Sequence, residues 1–261
     1  MTDLTATESP FRLGRLPIAG PAFAAGLLGL WQFGAGRLFS PYFLSRPSDV
    51  VRQLVDWVAT GYLWDHLAAT LVSTGVGFAG AAIGGLAVAL LVGSSRLLDR
   101  IFGPLLYLAY SLPKVVLAPA LILWFGVGWA PPVLMAFVTG FFMMFFNSYA
   151  GIRNVSPSLL NSVRIMGAGP VTLALKIRLP AALPFIATGL QQGLVYAFHG
   201  TIVGEMTASN LGMGYVLVLA AENMDATGVV AALTVIGAIT FILLRLIGRA
   251  LGQSDGAGVS P

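Results

Sequence analysis

The chain has 261 residues, of which 57% are hydrophobic and only 9% are charged, and it carries a formal net charge of +4 at pH 7. Its mean hydropathy of +0.87 and its repeated apolar runs of roughly 20 residues predict an all-α integral membrane protein surrounded by membrane lipid. The absence of cysteine excludes disulfides, thiolate metal sites and cysteine nucleophiles, and the scattering of the basic residues among short loops argues against nucleic-acid binding.

Six apolar segments are long enough to cross a bilayer as helices, which rise about 1.5 Å per residue. The segments cover residues 17–39, 66–93, 101–125, 131–151, 181–206 and 228–248. They predict a six-helix transmembrane bundle as one domain over residues 17–251, flanked by tails at 1–16 and 252–261. Arg12 and Arg15 precede the first segment as they would in a signal peptide, but that run is long and lacks a convincing cleavage site, so we interpret it as a retained anchor.

Basic residues in the loops predict which side of the membrane each loop faces. Ten fall on one side of the predicted bundle and three on the other. The ten are Arg12, Arg15, Arg96, Arg100, Arg153, Arg164, Lys176, Arg178, Arg245 and Arg249, and the three are Arg37, Arg46 and Arg52. Because short cytoplasmic loops are rich in lysine and arginine, the side with ten is predicted to be cytoplasmic, together with both termini and the segment 154–180.

Glycines in the second apolar segment match the spacing of a dinucleotide-binding motif but lack the strand that precedes such a motif. Residues 75–80 read GVGFAG, which fits GxGxxG, but they lie inside an apolar span with no preceding strand, so we interpret them as places of close helix contact. The two lysines, Lys114 and Lys176, follow proline and leucine and therefore form no GxxxxGK[ST] loop. The sequence predicts that this chain binds no cofactor itself and that any ATP is hydrolysed by another polypeptide.

The third segment contains three prolines and one lysine. Pro104, Pro113 and Pro119 predict a kinked or discontinuous span. Lys114 lies between the last two prolines, and an ionisable group at membrane depth normally faces a cavity or a partner. A cation there would suit an anionic solute on its path, and pairing with a carboxylate is an equal alternative.

Three further polar residues inside the spans are candidates for a solute path. Asn147 in the fourth segment would line the path or join two helices by a hydrogen bond. His199 lies deep in the fifth segment, where it would face the path or bond to a neighbouring helix. Glu205 is nearer the outer surface, where it would act as a gate or stabilise helix contacts. After it, a short helix is predicted at about 215–221.

The segment 154–180 is the long polar interruption between the fourth and fifth spans. The Ser-Pro pair at 156–157 predicts a capped helix start, and the glycine-rich turn at 167–170 predicts its end. The apolar face of this helix consists of Leu159, Leu160, Val163 and Met166. A second short helix is predicted at 171–177, stopped by Pro180. Composition alone leaves two interpretations open, an interfacial helix on the membrane or a knob that docks in a protein groove.

Gly167, nine residues and then Ile177-Arg178-Leu179-Pro180 resemble the second half of the EAA loop of permeases in binding-protein-dependent ABC importers. The resemblance covers about residues 40–250. Its other motifs are Pro47-Ser48-Asp49-Val50, Leu112-Pro113, Ala118-Pro119, Ile122-Leu123-Trp124-Phe125-Gly126 and the run from Leu179 to Leu190. Together they are similar to the nitrate, sulfonate and taurine branch of that family.

This resemblance implies the type I ABC importer fold, with 154–180 as a cytoplasmic coupling loop that docks on a separate ATPase. The residues implied at that contact are Asn161, Ser162, Val163, Arg164, Gly167, Ala168, Ile177, Leu179 and Pro180. The sequence departs from the family where Asn161-Ser162-Val163 replaces Glu-Ala-Ala, so the acidic contact usually offered to the ATPase is missing.

The implied partners are a cytoplasmic ATPase dimer carrying ATP and Mg, a periplasmic or lipid-anchored solute-binding protein, and a second permease copy in a homodimer. The implied location is the bacterial inner membrane. The resemblance leaves the solute open among nitrate, a sulfonate such as taurine, bicarbonate, an aromatic carboxylate and a vitamin precursor, and Lys114 favours an anion.

Two other classes of membrane protein compete with this interpretation. A secondary transporter would need two symmetric halves and an ion-coupling carboxylate at the midplane, and the sequence shows no convincing internal repeat. An intramembrane enzyme would need a nucleophile with a base or a metal cluster, but His66 and His199 lie on separate spans without an acid pair. Neither class accounts for the segment 154–180.

Overall fold

The computed structural model describes residues 19–35 and 45–251, and these residues are helical almost throughout, as predicted. The helices are α1 (Ala19–Gly34), α2 (Pro47–Ala59), α3 (Tyr62–Ser94), α4 (Arg96–Ser111), α5 (Leu117–Phe125), α6 (Ala130–Arg153), α7 (Pro157–Ile165), α8 (Pro170–Thr172), α9 (Leu179–Ala181), α10 (Leu183–Ala208), α11 (Met213–Glu222) and α12 (Ala226–Ala250). A 3₁₀ turn (Lys114–Val116) precedes α5, and a π-helix (Leu173–Arg178) joins α8 to α9.

Three of these helices, α3, α6 and α12, are each long and apolar enough to cross a membrane alone. Two bent pairs bring the number of spans to as many as five, namely α4 with Lys114–Phe125 and Pro170–Ala181 with α10. The first predicted span, 17–39, lies partly outside the described residues, and within them α1 has 16 residues. The predicted short helix at 215–221 is confirmed as α11.

Helices α3, α6 and α10 form the centre of the bundle, where glycines let their backbones approach closely. A Cβ on Gly77 of α3 would lie 2.6 Å from the carbonyl oxygen of Val133 on α6. A Cβ on Gly200 of α10 would lie 2.5 Å from the carbonyl oxygen of Met135. Real Cβ atoms do not tolerate such separations, so Gly77 acts in helix packing, as predicted. For Gly75 the prediction of close contact is wrong, because no atom lies within 4 Å of the place where its Cβ would lie.

Two apolar clusters hold the other elements against this centre. The first lies at the end of the bundle where α3 begins, and it gathers Trp57 of α2, Phe198 of α10, Met213 of α11 and Ala231 of α12. The second lies at the end where α3 stops, and it consists of Ala89, Val92, Met144, Phe145, Ile152, Ala182 and Ile186. The segment 154–180 emerges from this second end, which we call the arginine-rich end.

The predicted break in the third span is present, and the structure locates it. Helix α4 ends at Ser111, and the chain turns by 82° before it continues as Lys114–Phe125. Leu112, which precedes Pro113, is extended with ψ 134°, because the proline ring disfavours helical backbone at the preceding residue. Pro104 lies inside α4 without ending it, and Pro119 falls in the first turn of α5, where its missing N–H costs little.

The prediction that Pro180 stops the second helix of 154–180 is wrong. Helical backbone runs from Pro170 to Ala181, and the direction changes by 68° only afterwards, at the start of α10. Pro180 is accommodated because it lies in the first turn of α9, directly after the π-helix, where the regular hydrogen-bond pattern is already interrupted.

Candidate docking loop and solute pocket

The first half of 154–180 is a short, well-capped helix, as predicted. The hydroxyl of Ser156 accepts a hydrogen bond from the backbone N–H of Leu159, and Pro157 occupies the first turn. Gly167 follows the helix with φ +90°, in the left-handed region that favours glycine. Its N–H donates to the carbonyl of Arg164 at 3.0 Å, and the next N–H, that of Ala168, donates to Val163 at 3.3 Å.

The second half of 154–180 anchors this helix to the arginine-rich end. Leu173 is buried, and Nη1 of Arg178 donates to the carbonyl oxygen of Gly93 on α3 at 3.0 Å. Nearby, Arg153 at the end of α6 forms a 2.7 Å ion pair with Asp99 of α4. These contacts join the ends of α3, α4, α6 and the loop, so the loop is attached to the bundle by side chains as well as by its two chain connections.

Helix α7 packs only lightly on the bundle, and no residue of it is buried. Of its predicted apolar face, Leu160 and Val163 are half-buried, whereas Met166 is 84% exposed, as is the neighbouring Ile165 at 88%. These two side chains belong to no candidate span, and the described residues leave them almost uncovered.

The nine predicted contact residues divide by exposure. Asn161, Ser162, Arg164, Gly167 and Pro180 are exposed, and Val163, Ala168, Ile177 and Leu179 are half-buried. Asn161, which stands where the family has glutamate, accepts a 3.3 Å hydrogen bond from Nη1 of Arg164. All nine therefore lie between α6 and α10, but Leu179 packs against the second apolar cluster at the end of the bundle.

The break between α4 and α5 borders a cavity of about 380 Å³. It is lined by Tyr110, Ser111, Leu112, Pro113, Lys114, Thr139, Met143 and Tyr196. The ammonium of Lys114 donates to the carbonyl of Tyr110 and lies 4.2 Å from the centre of the Tyr110 ring and 5.1 Å from that of Phe142. Among the described residues no carboxylate pairs with Lys114, so the alternative of a carboxylate partner finds no support there.

Asn147 lies beside this cavity without lining it. Its Nδ2 donates to the carbonyl of Met143 at 2.8 Å and to Oε1 of Gln192 at 3.0 Å. Met143 itself borders the cavity. Asn147 thus joins α6 to α10 next to the candidate path, which is the helix-bridging role that the sequence left open.

His199 and Glu205 are not brought together with Lys114. His199 is exposed on α10, next to the ring of Tyr196 at 6.2 Å between centroids. Glu205 is only 1% exposed and lies at the opposite end of the bundle from the loop. Neither borders the cavity, so their assignment to the path stays a prediction.

Glu205 instead joins α10 to α3 and α11. Its Oε2 accepts from the hydroxyl of Thr70 at 3.0 Å and from the N–H of Gly214 at 2.9 Å. The hydroxyl of Thr70 also accepts from the N–H of Met213 at 2.8 Å, and Nδ1 of His66 accepts from Gly212 at 3.1 Å. This geometry corresponds to the helix-contact role considered for Glu205.

Sequence reasoning missed several of these side chains. Tyr110 precedes Lys114 by four residues, a spacing that would have suggested contact within one helical stretch. Thr139 and Tyr196 reach the cavity from α6 and α10, and no local signal in the sequence connects them. No group of three or more potential metal-ligating side chains occurs within residues 19–35 and 45–251.

Comparison with known proteins extends this description. Residues 80–254 match the family model of the binding-protein-dependent transport system inner membrane component. A probable ABC transporter permease protein of Haemophilus influenzae is 33% identical, over 83% of this chain and 88% of that protein. The taurine transport system permease protein TauC of Escherichia coli is 29% identical, over 85% and 83% of the two chains.

The fold has a counterpart among solved structures. An inward-facing conformation of the MetNI methionine ABC transporter superposes with a TM-score of 0.62 at 20% identity, over 75% of this chain and 95% of the other. At that identity the likeness concerns the fold alone, and it is the fold of a type I importer permease.

Proposed function

This chain belongs to the family of binding-protein-dependent transport system inner membrane components, and on that premise we propose that its 154–180 segment docks on a separate ATPase while the bundle conducts a small anionic solute. The chain itself is an ABC importer permease subunit. What the proposal adds is the docking element, the class of solute and the arrangement of the partners.

The exposed tip of α7 is the observation that carries the docking proposal. Ile165 and Met166 are among the most exposed apolar residues of the chain, at 88% and 84%. Both residues lie between α6, which ends at Arg153, and the bent pair that begins at Pro170, so neither belongs to a candidate span. A groove in a partner protein would remove both side chains from water, and the anchoring bond from Arg178 to Gly93 would transmit the partner's movement to the bundle.

In this mechanism ATP acts on the permease as a ligand bound elsewhere. Closure of two ATPase subunits around ATP brings the docked knobs with them, and the bundle shifts from an inward-facing to an outward-facing state. The permease contributes a rigid connection, and the partner supplies ATP, Mg and the hydrolysis chemistry.

The cavity beside Lys114 supports an anionic solute. A cation with no carboxylate partner among the described residues is a favourable site for a carboxylate or sulfonate group, and it lies where broken backbone at membrane depth would open a polar path. The aromatic rings of Tyr110 and Tyr196 line the same space and would contact the apolar part of a solute.

The arrangement of partners follows from the charge on the two ends. The excess of arginine at the end that bears 154–180 supports a cytoplasmic position for the loop in the bacterial inner membrane. The opposite end has a cavity of about 400 Å³ whose lining carries one arginine and three aspartates, a surface on which a periplasmic solute-binding protein would sit; the lining residues are Asp49, Arg52, Gln53, Asp56, Asp225 and Thr227. A second copy of the chain completes the path as a homodimer.

Co-purification with the ATPase encoded nearest to this chain tests the docking proposal. Ile165→Asp and Met166→Asp place a charge on the exposed tip, whereas Leu211→Asp makes the same change at an exposed position, 52%, of the opposite end. We expect the first two variants, and Gly167→Arg, to lose association in detergent while Leu211→Asp keeps it. Normal association of all variants would show that the tip is not the docking element.

A secondary transporter is the alternative function, and the same preparation distinguishes it. An importer permease takes up solute only with its ATPase and hydrolysable ATP, whereas a secondary transporter works in vesicles that contain this chain alone and an ion gradient. Solute uptake by the permease alone would overturn the proposal.

A further inference from the structure

A third cavity, of about 580 Å³, lies at the arginine-rich end between α7 and the ends of α3 and α6. Four arginines from four different elements line it. They are Arg96 at the start of α4, Arg153 at the end of α6, Arg164 on α7 and Arg178 on the π-helix. We call it the arginine cavity.

The charge in the arginine cavity is poorly balanced by the protein. Among the described residues, only Arg153 of the four has a carboxylate partner, Asp99 at 2.7 Å. Arg164 and Arg178 donate to neutral oxygens, those of the Asn161 side chain and the Gly93 backbone. Arg153 and Arg164 also lie near enough to Arg178 for their charges to repel it. Such an arrangement favours a bound anion.

Two buried donors in the lining point to the same ligand chemistry. Nε of Arg178 and Oγ of Ser94 are buried and have no hydrogen-bond partner in the described part of the chain, and both residues line the arginine cavity. An unpaired buried donor is destabilising, and a ligand with several acceptor oxygens would satisfy such donors. The planar fork of arginine matches phosphate, which offers three or more oxygens.

We propose that the arginine cavity binds the phosphate of an anionic phospholipid headgroup. Its lining includes Ser94 and Arg153, the residues at which α3 and α6 end, and both helices are long and apolar enough to cross a membrane. Basic pockets at the cytoplasmic ends of transmembrane helices hold lipid phosphates in this way. Because Arg164 belongs to α7, a headgroup bound there braces the loop against the bundle. The inference uses the proposed orientation of the chain but does not depend on ATPase docking.

Binding of phosphatidylglycerol to the full-length chain in detergent tests the inference. The probes are short-chain phosphatidylglycerol, phosphatidylcholine of the same chain length and inorganic phosphate, and the dissociation constants come from native mass spectrometry. Arg96→Gln and Arg164→Gln are each expected to weaken phosphatidylglycerol binding about fivefold. Arg100→Gln is the matched control, because Arg100 is also exposed at this end but does not line the cavity.

Each result decides the inference. Saturable binding of phosphatidylglycerol over phosphatidylcholine, weakened by both cavity variants and unchanged by the control, supports it. Equal binding by Arg96→Gln, Arg164→Gln and Arg100→Gln overturns it. Displacement by inorganic phosphate at equal concentration identifies a free anion as the ligand and overturns the lipid assignment. Loss of the bound lipid when the ATPase associates would assign the cavity to an acidic partner side chain, again against the inference.

Discussion

At the scale of single residues, two glycines in the segment 154–180 differ in backbone conformation. Gly167 has φ +90° and Gly169 has φ −74°, yet neither has any atom within 4 Å of the place where a Cβ would lie. Space is therefore available at both positions, and only backbone conformation separates them. Gly167 is the residue that allows α7 to end and the chain to return to the bundle.

Gly167→Ala is therefore expected to disturb the loop and Gly169→Ala is not. A residue with a Cβ in the left-handed region costs about 1 to 2 kcal/mol, whereas a surface substitution without strain stays within about 0.5 kcal/mol. Faster hydrogen exchange of the α7 amides and weaker ATPase association should appear in the first variant alone. Equal behaviour of the two variants would show that the positive φ is not needed.

Uptake of an anionic solute should depend on the positive charge of Lys114. Hydrogen bonds to a charged group contribute about 1.5 to 3 kcal/mol, so Lys114→Met should lower uptake of an anionic solute by about tenfold or more, and Lys114→Arg should retain most of it. Arg100→Met is the comparison, because Arg100 is exposed and does not line the cavity that Lys114 lines. Uptake of labelled taurine by vesicles with the whole complex is a suitable first assay, since the relative TauC is the permease protein of a taurine transport system. Similar losses in Lys114→Met and Arg100→Met would contradict this assignment.

At the scale of elements, one buried side chain, Glu205, bonds the short helix α11 to α3 and α10. Glu205 accepts hydrogen bonds from Thr70 of α3 and from Gly214 of α11 through the same oxygen. The side chain leaves no room for a Cβ on Gly212, which has φ +111°. Glu205 and the glycine turn at 212–214 therefore form one tightly packed junction of three helices.

Removing the carboxyl group from this junction should loosen α11. Glu205→Ala leaves the Gly214 N–H and the Thr70 hydroxyl without this acceptor, at a cost of about 1 to 3 kcal/mol for an unsatisfied group. Glu205→Gln keeps one acceptor oxygen and should lie between the native chain and the alanine variant in thermal stability in detergent. Hydrogen exchange would show the loss first in α11. An alanine variant as stable as the native chain would show that the bonds contribute nothing net.

The helices that could be predicted closely from the sequence are those with unbroken apolar runs. The predicted spans 131–151 and 228–248 correspond to α6 (Ala130–Arg153) and α12 (Ala226–Ala250), because hydropathy and length are properties of the segment itself. The break in the third span was predictable from its prolines, but which of them breaks the helix was not. That depends on where each proline falls in its helix, at the first turn for Pro119 and beyond the last for Pro113.

The sites show the same division between local and tertiary information. The cap at Ser156 and the turn at Gly167 are local, and both were predictable. The arginine cavity and the lining of the Lys114 cavity depend on where helices cross. The sequence of a single segment does not predict those crossings. Only the structure brings Tyr196 of α10 to Lys114, and only the structure separates His199 from it.

At the scale of the whole molecule, the proposed mechanism needs the loop and the bundle to move together. Arg178 bonds to the end of α3, and Arg153 of α6 pairs with Asp99 of α4. The glycine contacts between α3, α6 and α10 hold the three central helices at short range. These contacts support the proposal that the loop and the bundle move as one body, without a flexible tether between them.

In the proposed homodimer, the distance between labels on the two copies should therefore change, and the distance between two labels within one copy should stay constant. The chain has no cysteine, so introduced cysteines can be spin-labelled without a background. Leu97 on α4 and Lys176 on the π-helix are both exposed. Leu97→Cys and Lys176→Cys, placed together in one copy of each complex, give a distance that reports movement of the loop against the bundle. Lys176→Cys alone, present in both copies, measures the distance between the two loops. ATP binding to the complex should shorten the second distance and leave the first unchanged. If both distances change, the loop moves on a hinge of its own, and the contacts of Arg178 and Arg153 do not transmit the motion; if neither changes, ATP binding does not act through this loop.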